Sequence, residues 1–213
     1  MRRRLPWIHL CLMLSAVLTP ALAAPTALNA VPTADVVPSG SASFAVQING
    51  GPSNTGYWFF NQMQTQFGFE GDTAVGVDLP LGPNAGFSLN AKHRLCGEAL
   101  RRPAVAVGAY YDYAGLGNPV YLTSYKTVGD SRLHVGSVYL DGAVRAMAGW
   151  ELWHGGPLVL QADYVSGVEM YSSMGAVINW SNGMSLTVAQ FFGNSSSAPN
   201  SYLVILGWTG KIR

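Results

Sequence analysis

The chain has 213 residues, with 12 Lys+Arg against 11 Asp+Glu, and it is 49% hydrophobic but only 11% charged. A soluble domain typically has about 25% charged residues, and a nucleic-acid-binding chain carries a basic surplus; neither description fits. Outside the first two dozen positions no apolar run reaches the roughly 18 residues of a membrane-spanning helix, so no such helix is expected.

The first element is a secretory signal. Arg2, Arg3 and Arg4 form a positive start, an apolar stretch runs from Leu5 to about Val17, and Ala21-Leu22-Ala23 fits the small-x-small cleavage rule. Residues 1–23 are therefore expected to be removed. Loss of the three arginines leaves 9 basic and 11 acidic residues, a net charge of −2. Cys11 lies too early to be a lipidation site, so no lipid anchor is expected. Cys96 is then the single remaining cysteine, which rules out an intrachain disulfide; an ordinary turn residue is the favoured reading. Residues 24–40 (APTALNAVPTADVVPSG) lack a clean period and read as an extended periplasmic lead-in.

From Ser41 onward the chain alternates apolar and polar residues in segments of about ten, the period of a β-strand with one apolar face. Twelve strands are predicted, within a range of 10–14: roughly 41–49, 57–69, 73–79, 86–92, 104–113, 119–127, 131–139, 144–153, 157–165, 172–180, 184–192 and 201–209. Several alternate connections are very short, such as Glu70-Gly71-Asp72, Val128-Gly129-Asp130 and Ser181-Asn182-Gly183, while the intervening ones tend to be longer. Short turns at one rim and longer loops at the other are the pattern of an all-β, antiparallel transmembrane β-barrel with both termini in the periplasm. Residues 41–213 are assigned to that barrel. One connection breaks the pattern, the eleven residues from His93 to Pro103, and any periplasmic or envelope protein partner is expected there.

Parity sorts the side chains. One face collects Phe44, Val46, Ile48, Val75, Val77, Leu133, Val135, Val188 and Leu206 and is predicted to meet lipid. The other collects Gln47, Gln62, Gln64, Gln66 and Asn90 and the charged or ionisable residues Asp78, Lys92, Asp112, Lys126, Arg132, His134, Arg145, Glu151 and Asp163, which are predicted to line the lumen. A charge on the lipid side near the midplane would cost about 2–4 kcal/mol. Outward aromatics fall near strand ends, predicting two girdles: Tyr57, Tyr113, Tyr121, Tyr139, Tyr164 and Tyr202 at one rim, and Phe67, Phe69, Tyr125, Trp180 and Trp208 at the other.

Catalytic and metal-binding patterns are weak. His93, His134 and His154 could in principle meet Ser88, Ser124 or Ser173, but a triad is defined by geometry and no nucleophile motif is present. No His/Asp/Cys spacing matches a metal site, and no cofactor is expected. The mixed signs of the inward charges are better read as ion pairs filling a narrow lumen, with a polar lining for a solute path as the second reading.

The run Leu89-Asn90-Ala91-Lys92-His93-Arg94-Leu95 and then Arg102-Pro103-Ala104-Val105-Ala106-Val107-Gly108, with Thr123-Ser124-Tyr125-Lys126, Gly129-Asp130 and Arg132-Leu133-His134-Val135-Gly136, resembles the barrel repeats of YjbH-like outer-membrane proteins. The resemblance covers about fifty residues. It implies a β-barrel associated with exopolysaccharide export and carries no functional residues. The expected function is thus a non-enzymatic bacterial outer-membrane barrel, porin-like or supporting the cell envelope, with membrane lipid as its main partner. A rim- or lumen-sited hydrolase and a soluble secreted barrel binding an apolar ligand are the alternatives.

Overall fold

A computed structural model describes residues 27–53, 56–82, 86–112, 118–196 and 198–212. The predicted signal peptide, Tyr113 and the side chain of Asp112 lie outside the described residues. Twelve strands follow in order: β1 (Ser41–Ser53), β2 (Gly56–Phe69), β3 (Thr73–Leu81), β4 (Ser88–Cys96), β5 (Ala104–Asp112), β6 (Val120–Val128), β7 (Ser131–Leu140), β8 (Ala143–Leu152), β9 (Leu158–Val165), β10 (Tyr171–Asn179), β11 (Met184–Gly193) and β12 (Ser201–Lys211). Each pairs antiparallel with the next, and β12 returns to β1 to close a barrel. The closing seam runs from Ser41 opposite Lys211 to Gly50 opposite Tyr202. Among the described strands closure leaves no edge unpaired, the condition for crossing a hydrocarbon layer with sheet.

Alternation is what builds the wall. Along β1, Phe44, Val46 and Ile48 are exposed on the outside while Gln47 and Asn49 are buried inside. Val75, Leu89, Val135, Val188 and Leu206 continue the exposed apolar face around the cylinder. Such a continuous apolar exterior far exceeds the scattered exposed side chains of a soluble protein.

One rim carries both the start of β1 and the end of β12, with the turns at 70–72, 129–130, 153–157 and 180–183. The opposite rim carries the ends of β3, β9 and β11 and the starts of β4, β10 and β12, but also the tight hairpin at Asp141-Gly142. There φ is +51° and +78°, the left-handed pair that a two-residue turn of matching twist requires. The long connection before β5 is shorter than expected. His93 to Cys96 continue β4, with an irregularity in pairing between Arg94 and Cys96, and the loop proper is 97–103.

Two expectations are overturned. Residues 27–37 do not extend away from the barrel; they fold into its interior, where Leu28, Asn29, Val31, Ala34 and Val37 are all almost completely buried. The reason is chemical: the segment has only one charged side chain, Asp35, and its apolar Leu28, Val31, Ala34 and Val37 would be left exposed by a wet lead-in. The second correction is the phase of β6. Phasing that strand by the charge of Lys126 puts Tyr121 and Tyr125 on the outer face, but both point inward and are buried, and Val120 and Leu122 face out. Lys126 tolerates the outer phase because it sits at the strand end, where its ammonium reaches Glu98 and the carbonyl of Ala99 in the 97–103 loop.

Candidate functional site: a segment of the chain inside the lumen

The interior is filled by wall side chains and by the N-terminal segment. Its tip is a turn, with the Leu28 N–H donating to the Val31 carbonyl and Ala27 bridging Pro32. From Pro32 the chain runs back to an exposed turn at Pro38–Gly40, where the Ser41 N–H donates to the Pro38 carbonyl and β1 begins.

The wall contacts this segment mainly through its backbone. The Asp163 carboxylate on β9 accepts from the N–H groups of both Ala30 and Val31, at 2.7 and 3.0 Å. Ser173 on β10 donates to the other oxygen of Asp163 and accepts from the Asn29 amide. On β6 the Thr123 hydroxyl donates to the Pro32 carbonyl at 2.8 Å. On β4 the Lys92 ammonium, fully buried, donates to the carbonyls of Thr33 at 2.9 Å and Asp35 at 3.1 Å. These contacts draw on buried donors and acceptors that would each cost roughly 1–3 kcal/mol if left unmade.

Side chains supply a second set of contacts. Leu28 and Val31 enter an apolar cluster formed by Tyr110, Tyr121, Val138, Leu140, Met147, Val165 and Met170, and Ala34 packs with Ala104, Ala106 and Tyr125. Three wall glycines make room. A Cβ on Gly149 would lie 2.2 Å from Leu28 Cδ1, one on Gly175 2.7 Å from Asn29 Oδ1, and one on Gly68 2.1 Å from the Pro38 carbonyl oxygen. Inward glycine within a strand marks a close backbone approach, and here the approaching chain is the segment.

A charged network lies below these contacts, toward the rim of the termini. Arg132 on β7 pairs with Asp35 at 2.6 Å and with Glu151 on β8 at 3.7 Å. Its guanidinium also stacks 4.0 Å from the centre of the Tyr125 ring, a favourable cation–π geometry. Glu151 is 3.1 Å from both His134 and His154 and accepts from Gln161. Of the residues predicted to line the lumen, Lys92, Arg132, His134, Glu151 and Asp163 therefore converge on the segment or its anchors. Asp78 is buried on the β1–β4 side, paired across from Gln64. Arg145 lies at the opposite rim against Gly167, and Lys126 is on the outer phase.

Outside, Tyr57, Phe69, Tyr139, Tyr164 and Trp180 are exposed, Phe67 and Trp208 flank Phe44 at 6.1 and 6.0 Å, and Tyr202 lies over Gly50. Beyond the wall, in the 97–103 loop, two hydrogen bonds from Thr127 and the neighbouring Lys126 hold the Glu98 carboxyl down at about 2, well below its ordinary range. Leu100 and the two arginines that follow it project from the same loop.

Among the histidines and serines weighed for catalysis, His93 bonds Thr73 on the exterior and His134 bonds Glu151. The Ser173 hydroxyl is engaged with Asp163 and Asn29. The chain's own segment as the filling of the lumen is absent from the sequence reading. Its signals were present: inward positions Val138, Leu140, Met147 and Val165 are apolar, which a water-filled lumen would not favour, and glycines recur at inward positions.

No protein-family model matches the chain, and no curated protein matches its sequence. Its fold is similar to that of solved porins. A KdgM porin superposes with a TM-score of 0.58 at 9% identity, covering 79% of this chain and 98% of that one. A KdgM porin in complex with disordered oligogalacturonate gives 0.56 at 8% identity with the same coverage. At these identities the likeness concerns the fold: an all-β, closed, twelve-stranded antiparallel barrel of the kind seen in porins, with nothing in it that speaks for an exopolysaccharide association.

Proposed function

We propose that this chain is a non-enzymatic, porin-like barrel of the bacterial outer membrane whose lumen is closed at rest by its own residues 27–38. The observation that carries this reading is the combination of a continuous apolar exterior with a partly polar interior in which wall side chains on β4, β6 and β9 bond the backbone of the segment and Ser173 on β10 bonds its Asn29 side chain. An apolar exterior favours lipid over the soluble alternative. Against the hydrolase, the hydroxyl and carboxylates that would serve in catalysis are committed to bonds between wall and segment or between wall strands.

Planar-bilayer conductance of refolded protein is the test. The full chain is expected to pass little current, and a variant lacking residues 27–38 to open a stable channel. A folded, detergent-extracted deletion variant that passes no current would overturn the closed-channel reading. A full chain that stays monomeric in buffer without detergent would overturn the membrane reading.

A further inference from the structure

We propose that the lumen is a peptide-binding site, occupied in cis by residues 27–38, and that it takes a free peptide of the same pattern in trans once the covalent tether is cut. The proposal deepens the closed-channel reading and rests on it for the lumen being reachable. It names the chemical class the interior is built to hold: a peptide with two adjacent free N–H groups in a turn, then proline, then an extended run bearing a carboxylate.

The recognition is directed at main chain. Asp163 takes two successive N–H groups, Thr123 donates to the next carbonyl but one, that of Pro32, and Lys92 donates to the carbonyls of Thr33 and Asp35. Three side chains from three separate strands thus read the backbone of a six-residue stretch. A wall that merely needed filling would achieve it with apolar side chains alone, as it does around Leu28 and Val31. Backbone bonding gives affinity for any extended chain, and side-chain pockets give selectivity. Here the pockets are specific in shape: Leu28 enters the space left by Gly149 and belongs to the same apolar cluster as Tyr121, Val138 and Met147, while Asn29 sits against Gly175. Asp35 supplies the charged determinant, meeting Arg132 at 2.6 Å.

The tether is short and accessible. Pro38, Ser39 and Gly40 are exposed, and φ at Gly40 is +69°, so the connection is a surface turn that can be cut without opening the sheet.

The experiment inserts a site-specific protease sequence between Ser39 and Gly40 of the full chain, cleaves the folded, detergent-solubilised barrel, washes out the released segment and adds a dye-labelled synthetic peptide of residues 27–38. Saturable binding, about tenfold tighter than a scrambled peptide of the same composition and weakened by Asp163→Asn, is the expected result. Equal binding of native and scrambled peptides, or of wild-type and Asp163→Asn barrels, would overturn the proposal. Conductance of the cleaved barrel separates the two readings: a cleaved barrel that conducts but binds the peptides without preference leaves the channel and removes the peptide site, and one that binds selectively without ever conducting does the reverse. Should cleavage unfold the barrel, hydrogen exchange on the uncut chain decides. Asp163→Asn is expected to speed exchange at the Ala30 and Val31 amides about tenfold relative to wild type, and unchanged rates would overturn the proposal.

Discussion

Arg132 and Asp35, 97 positions apart in sequence, meet inside the barrel with Nη1 2.6 Å from Oδ2. The same guanidinium lies 3.7 Å from Glu151 and over the Tyr125 ring. Arg132→Met removes the cation while keeping most of the stem. It leaves Glu151 with only its histidine and Gln161 partners and takes the guanidinium from Asp35, which is partly exposed and so contributes less. Loss of roughly 1–3 kcal/mol is expected, read as a lower unfolding midpoint in detergent micelles. Arg132→Lys should recover only part of it, because a single ammonium cannot bridge both carboxylates and stack on the ring. Full recovery by lysine would assign the effect to net charge alone.

Gly149 and Leu28 cannot both be large. Gly149→Leu is expected to expel the tip of the segment while leaving the sheet pairing intact, since position 149 is an ordinary strand position opposite His134. The measurement is limited proteolysis after the 38–40 turn together with bilayer current: faster release of the segment and a rise in open probability. A Gly149→Leu protein as closed and as protected as wild type would show that Leu28 is not held at this wall.

Position 135 tests the orientation of the wall. Val135 lies at the middle of β7 and is exposed on the outer face. Val135→Arg should cost about 2–4 kcal/mol of folding stability in a bilayer, seen as loss of the compact, heat-modifiable form on refolding into lipid vesicles. In a soluble barrel the same change would be close to neutral, so an unaffected refolding yield contradicts the membrane assignment.

Glu98 provides a pH dependence outside the wall. Its folded pKa of about 2 is depressed below the ordinary 4.5. The bonds from Thr127 and Lys126 therefore contribute at and above pH 4.5 and are lost as pH falls toward 2. Carboxyl chemical shifts followed by NMR should show Glu98 still ionised at pH 3, and Thr127→Val should move its titration upward. A midpoint near 4.5 in the intact protein would mean the loop is not held as described.

Strand number and the apolar face were legible because a period of two is a local signal that each strand repeats. Phe44, Val46 and Ile48 define their face without reference to any neighbour. The phase of β6 was not legible, because Lys126 lies at a strand end where the charge can leave the lipid face, so the usual inference from charge to lumen fails. Asp35 and Arg132 are equally illegible as a pair: nothing local links a residue before the first strand to the seventh. What the sequence does show, in hindsight, is a mismatch on the inward face. Val138, Leu140 and Met147 are apolar where water was expected, and only a covering segment reconciles them with the amides of β1 to β4.

The seam that closes the cylinder pairs Ser41 with Lys211, the contact of longest sequence separation in the sheet and the one with the largest loop-closure cost. Residues 27–38 are attached directly to the strand that makes this seam. β1 is therefore at once a strand of the closing seam and the anchor of the segment, so the register of the wall and the position of its filling are set by the same strand. A lesion that opens the pairing at Ser41 to Gly50 would thus expose two strand edges and loosen the anchor of the segment together.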